Sequence, residues 1–124
     1  MVAFTAKGVA AVELPHLNSR VVVLAEDVEG DGGTRLEISR ALTFTRQDRE
    51  LGQDTYCVST QTGATVYGGV RSYTLNGSTL TMRLDQHAQD ELRVPEEFSI
   101  LLDADEPTIE TVRTALALIL ILPA

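Results

Sequence analysis

The chain has 124 residues, 44% hydrophobic and 23% charged, with a net charge of −8. This length fits one domain, 1–124, and the composition excludes disorder, collagen-like repeats and coiled coil. Residues 85–110 hold nine acids and one base while the rest of the chain balances at nine each, so there is no basic stripe for nucleic acid and no attraction to anionic membrane.

Cys57 is the only cysteine, so no internal disulfide can form, and a reducing cytoplasm is the expected setting. The first seven residues are too short and too polar in their continuation for a signal peptide. The longest apolar run, 115–122, falls far short of the ~20 residues that span a bilayer.

The apolar positions Val2, Phe4, Ala6, Val9, Val12 and Leu14 predict one strand, or two broken at Gly8. The β-branched run in 20–26 predicts another, and the glycines of 29–33 predict an exposed turn. Leu36, Ile38, Leu42 and Phe44 then alternate with polar residues, but Arg40 falls on their apolar face. A β-bulge that resets the register would explain it; a buried, paired arginine at a site is the other reading. Residues 47–53 read as a loop. Two further strands are expected at 55–60 and 64–67, followed by Gly68-Gly69, whose pairing suggests a bulge or a close backbone approach.

Asn76-Gly77 between alternating segments predicts a type I′ hairpin with Leu75 opposite Ser78, Tyr73 opposite Leu80 and Arg71 opposite Met82. Asp85 can cap a short helix with Ala88 and Leu92 on its inner side, ended by Pro95. Phe98, Ile100 and Leu102 alternate as a strand. Asp105, Glu106 and Pro107 open a terminal helix carrying Ile109, Val112, Leu116, Ile119 and Leu120, closed by Pro123. The expected fold is α+β, mostly β: an antiparallel, meander-like sheet with a short helix and a C-terminal helix packed on it. Leu118, Ile121 and Leu122 widen the apolar surface of that helix beyond one stripe, which predicts a homodimer if a single sheet covers one side only; a helix sunk between the sheet and the N-terminal strands is the competing reading.

Chemistry is sparse. His87 could share a helix face with Asp90 and Glu91, but no second histidine completes a ligand set, and His16 follows a proline in a loop. Cys57 has no neighbouring histidine or lysine to activate it. No phosphate-cradling loop or nucleophile elbow occurs. The reading is therefore no catalytic residues, no cofactor and no metal, with a small ligand-binding domain or enzyme, its pocket near Arg40, Tyr67 or His87, as the alternative.

Gln47-Asp48, then Gly52-x-Asp54-x-Tyr56-Cys57-Val58, then Tyr67-Gly68-Gly69-Val70 resemble the immunity protein 10 family of bacterial polymorphic toxin systems. The later Leu80-x-Met82-x-Leu84, Ala88, Leu92 and Phe98-x-Ile100-x-Leu102 fit the same layout. The resemblance implies a small, mostly β protein, encoded beside a toxin, that binds and neutralises it without turnover, and it implies no catalytic residues. Asp54, Tyr56, Tyr67, Gly68 and Gly69 would then be structural, with the glycines set for backbone geometry and Tyr56 in the core. Asp90, Glu91, Glu96, Glu97 and Glu110 have no capping duty and are the candidates for contact with a basic toxin.

Overall fold

The computed structural model describes residues 2–29 and 32–121. Among the described residues, nine strands and three helices follow in chain order: β1 (Val2–Ala6), β2 (Gly8–Leu14), β3 (Ser19–Ala25), β4 (Arg35–Ala41), α1 (Arg46–Glu50), β5 (Cys57–Thr60), β6 (Thr65–Tyr67), β7 (Val70–Asn76), β8 (Thr79–Leu84), α2 (Gln86–Leu92), β9 (Glu97–Leu102) and α3 (Glu106–Ile119). A 3-10 turn, Pro15–Leu17, joins β2 to β3. The protein is α+β and mostly β. The expected single sheet is in fact two, a five-stranded antiparallel meander ordered β2-β3-β4-β5-β6 and a four-stranded sheet ordered β1-β9-β8-β7. β1 runs parallel to β9, a pairing that no hairpin pattern could announce.

The chain changes sheet twice. β1 and β2 are separated by Lys7 alone, and the peptide between Ala6 and Lys7 serves both sheets. Its oxygen accepts from Asp103 N at 2.8 Å, past the end of β9, and its N–H donates to Ala25 O at 2.9 Å on β3. The second change is at Gly68-Gly69, between β6 and β7. Residues facing inward from both sheets form one core with the helices: Val22, Leu24, Ile38 and Val58 from the meander, Leu80, Met82, Leu84, Phe98 and Ile100 from the other sheet, Ala88 from α2, and Val112, Leu116 and Ile119 from α3.

Local chemistry explains the helix ends. Asp85 and Asp105 cap α2 and α3 as expected, accepting from Ala88 N and Thr108 N. The 47–53 loop contains a short helix instead: Thr45 and Asp48 form a reciprocal capping box that starts α1. α2 stops at Leu92, before Pro95, because Arg93 adopts a left-handed conformation with φ 56°. α3 packs on β2, β3 and β4 and buries Val112, Ala115, Leu116 and Ile119, while Leu118 and Ile121 stay exposed. Leu122 and Pro123 lie outside the described residues, as do Gly30 and Asp31 of the 29–33 turn.

Two registers differ from expectation. The hairpin pairs Asn76 with Thr79, Leu75 with Leu80 and Tyr73 with Met82, so its two-residue turn is Gly77-Ser78. Of that pair only Gly77 has positive φ, at 61°, and a glycine in the first central position suits a II′ turn better than I′. The shift is by two residues, so every side chain keeps its face. At Arg40 no bulge occurs: β4 pairs with β3 without a shift, Arg20 opposite Arg40. The strand ends at Ala41, and the Arg40 guanidinium lies over the Phe44 ring, 5.0 Å from its centroid, a contact that accommodates the cation at the end of the face that Leu36 and Ile38 begin.

Candidate functional site

The motif residues converge on the second sheet change. Gly68 and Gly69 have φ of 76° and 94°, and a Cβ on Gly69 would stand 2.7 Å from the Ala88 Cβ. Glycine is thus required at Gly69 both by backbone conformation and by the approach of α2. Gly68 N–H donates to Tyr56 O, and Asp85 N–H donates to Gly69 O. Tyr56 is 5% exposed, and its hydroxyl accepts from Val70 N at 2.9 Å and donates to Val70 O at 3.4 Å. A side chain just before β5 thereby satisfies the first residue of β7 in the other sheet. Burial pushes the Tyr56 phenol above its ordinary value; the Val70 backbone hydrogen bond lowers it, and the charge of Asp85 raises it further.

Tyr67 and Asp54 differ from these three. Both are exposed, Tyr67 at 47%. Tyr67 pairs with Cys57, which pairs with Ser39, across the outer face of the meander, and Cys57 Sγ lies 3.0 Å from Ser39 Oγ. A small polar hollow of about 170 Å³ opens there, lined by Arg40, Asp48, Gln53, Cys57 and Tyr67 among others. Arg40 and Tyr67 are therefore brought together, while His87, exposed on α2, is not part of the hollow.

The five candidate acids are all exposed, but they do not share one surface. Asp90 and Glu91 lie on α2, directly after β8 ends, and Glu96 and Glu97 lie where β9 begins beside Arg83. These four occupy one end of the four-stranded sheet. Asp90 accepts from Gln86 Nε2 at 2.9 Å, and Glu96 reaches Arg83 at 3.8 Å, both groups half-exposed. Glu110 is at the opposite end, roughly 17 Å away along β9, near Gly77. It pairs with Arg113 at 3.2 Å, whose guanidinium also donates to Leu75 O.

Among the described residues no three His, Cys, Asp or Glu side chains are placed to hold a metal ion, and no helix is long and apolar enough to cross a membrane. The sequence reading did not single out the groove between β2 and α3, which Val12 and Leu118 line; its only signal is a run of small and β-branched residues at 8–12. No match was found among curated proteins or among solved structures. The family model described as Immunity protein 10 matches residues 5–110, a stretch that holds both sheet changes, the Tyr56 strut and the acidic end, and the chain belongs to that family.

Proposed function

We propose that the protein is a non-enzymatic inhibitor that binds a cognate toxin in the cytoplasm of the producing cell and neutralises it. The observation that carries this reading is the family match over residues 5–110. The toxin is proposed to be basic, and its contact surface to be the end of the four-stranded sheet that gathers Asp90, Glu91, Glu96 and Glu97. These acids are exposed, lie in the segment that contributes the whole net charge, and cap no helix. Glu110 is left to its own pair with Arg113. Such a surface acts mainly on the association rate, through a field screened beyond about 8 Å at physiological salt.

The test is protection and binding with Glu96→Lys plus Glu97→Lys. Wild type is expected to restore growth to cells making the cognate toxin and to associate with it at a rate that falls steeply with added salt. The double reversal should slow association by about tenfold or more and flatten the salt dependence. An unchanged rate in the reversed protein would remove the acidic end from the interface while leaving the inhibitor reading to the growth assay.

A further inference from the structure

The outermost strand β2 of the meander is seven residues long, and its one charged side chain, Glu13, is paired with Arg20 of the neighbouring strand. Between Gly8 and Leu14 there is no lysine, no proline and no bulge; the strand pairs with β3 along its whole length without a shift. The two edges that carry β6 and β7 are guarded. β6 has three residues, and β7 shifts register between Val70 and Ser72 and gives its Leu75 carbonyl to Arg113.

The ladder shows which backbone groups of β2 are free. Glu26 N donates to Thr34 O, and Leu42 N to Asn18 O, at the two ends of the β3–β4 pairing. In an antiparallel pair, hydrogen-bonded residues alternate with those that face away, so Leu24, Val22 and Arg20 bond to β4, and Ala25, Val23, Val21 and Ser19 bond to β2. Their partners are Gly8, Ala10, Val12 and Leu14. The N–H and C=O groups of Val9, Ala11 and Glu13 therefore point out from the sheet.

We propose that this edge pairs with β2 of a second copy about a two-fold axis at Ala11. Antiparallel pairing in that register sets Ala11 opposite Ala11 and Val9 opposite Glu13, matching the outward groups of one strand to those of the other. Ala10 then faces Val12 on the outer face, a small residue against a larger one. Beside the edge, an open groove of about 410 Å³ runs between β2 and α3. Val12 and Leu118 line it, 44% and 46% exposed, so the second copy covers apolar surface on both faces of the joined sheet. A second copy suits this edge because its charges are already balanced within the chain. Glu13 pairs with Arg20 at 3.2 Å and Glu110 with Arg113, and the other four candidate acids lie at the end of the four-stranded sheet away from Glu110. The isologous contact buries identical patches, as two-fold interfaces do.

The experiment uses the full chain. Light scattering should give a mass of two chains, and hydrogen exchange should show the amides of Val9, Ala11 and Glu13 slowing by about tenfold or more as concentration rises through the dimerisation range. Val12→Lys and, separately, Ala11→Pro should each return the mass to one chain with an unchanged circular-dichroism spectrum. The Ala11 N–H faces away from β3, so proline there removes no internal bond; should that variant fail to fold, Val12→Lys, at an exposed position, decides alone. A mass of one chain at the highest attainable concentration, or a dimer that survives Val12→Lys, overturns the proposal. Protection of these amides only when the toxin is added also overturns it, because the edge would then belong to the toxin. Growth protection is scored separately, so loss of the dimer leaves the inhibitor reading standing.

Discussion

The two places where the chain changes sheet solve one problem in different ways. At Lys7 a single peptide group does it, oxygen to one sheet and N–H to the other. The next residue is glycine because the backbone of the 26–29 loop presses on it: a Cβ on Gly8 would collide with Asp27 O. At Gly68-Gly69 the hand-over takes two residues, both with positive φ, and needs help from outside the crossing. Tyr56 braces Val70, Asp85 N–H holds Gly69 O, and Ala88 fills the space beneath. The difference teaches that the first crossing is set by local bonds within a nearly continuous strand. The second is set by tertiary contacts, so its sequence signature is spread over residues 56–88.

The largest effect should come from the second crossing. Gly69→Ala adds a strained left-handed backbone to a clash with Ala88, and is expected to cost about 2–4 kcal/mol in chemical denaturation. Gly68→Ala has the strained φ but open space around it, so about 1–2 kcal/mol; equal costs for the two would mean that Ala88 contributes nothing. Gly8→Ala meets backbone at ordinary φ and should cost about 1–3 kcal/mol through overpacking. Tyr56→Phe leaves Val70 N–H buried without a partner, for about 1–3 kcal/mol. It should also change the alkaline limb of stability. The folded phenol titrates above its ordinary value, so wild-type stability is full below the ordinary tyrosine range, about pH 10, and is lost as pH rises through the folded value. That slope should vanish in Tyr56→Phe.

The smallest effect lies outside both crossings. Hydrogen bonds from Thr108, side chain first and then backbone, hold the Asp105 carboxyl below its ordinary range. Its contribution is present above the ordinary carboxylate value and is lost as pH falls through the folded one. Asp105→Ala should lower the melting temperature slightly at neutral pH and by less in strong acid, where the protonated carboxyl caps without its charge.

What the sequence disclosed follows from how local each signal is. Both capping aspartates, the face assignments of 73–84 and the alternation of 98–102 depend on residues within one turn or one strand pair, and these survive in the structure. Arg40 misled because period two was extended past Ala41, where the strand stops and a cation–π contact replaces burial. The hairpin register slipped because Asn-Gly is also compatible with glycine leading the turn. The two-sheet arrangement and the parallel β1–β9 pair join residues almost a hundred positions apart, which no local pattern encodes. At the site, the glycines and Tyr56 were legible as a spaced motif, whereas the scatter of the acids over two ends depends on where β9 places them.

The most direct measurement of the central claim is a calorimetric titration of the chain with the purified domain of its proposed cognate toxin, at low and at physiological salt. The account predicts a saturable, stoichiometric complex whose formation abolishes the toxin's activity, with no turnover of the toxin itself. Absence of heat and of inhibition at both salt concentrations, with the chain shown folded by circular dichroism, would contradict it.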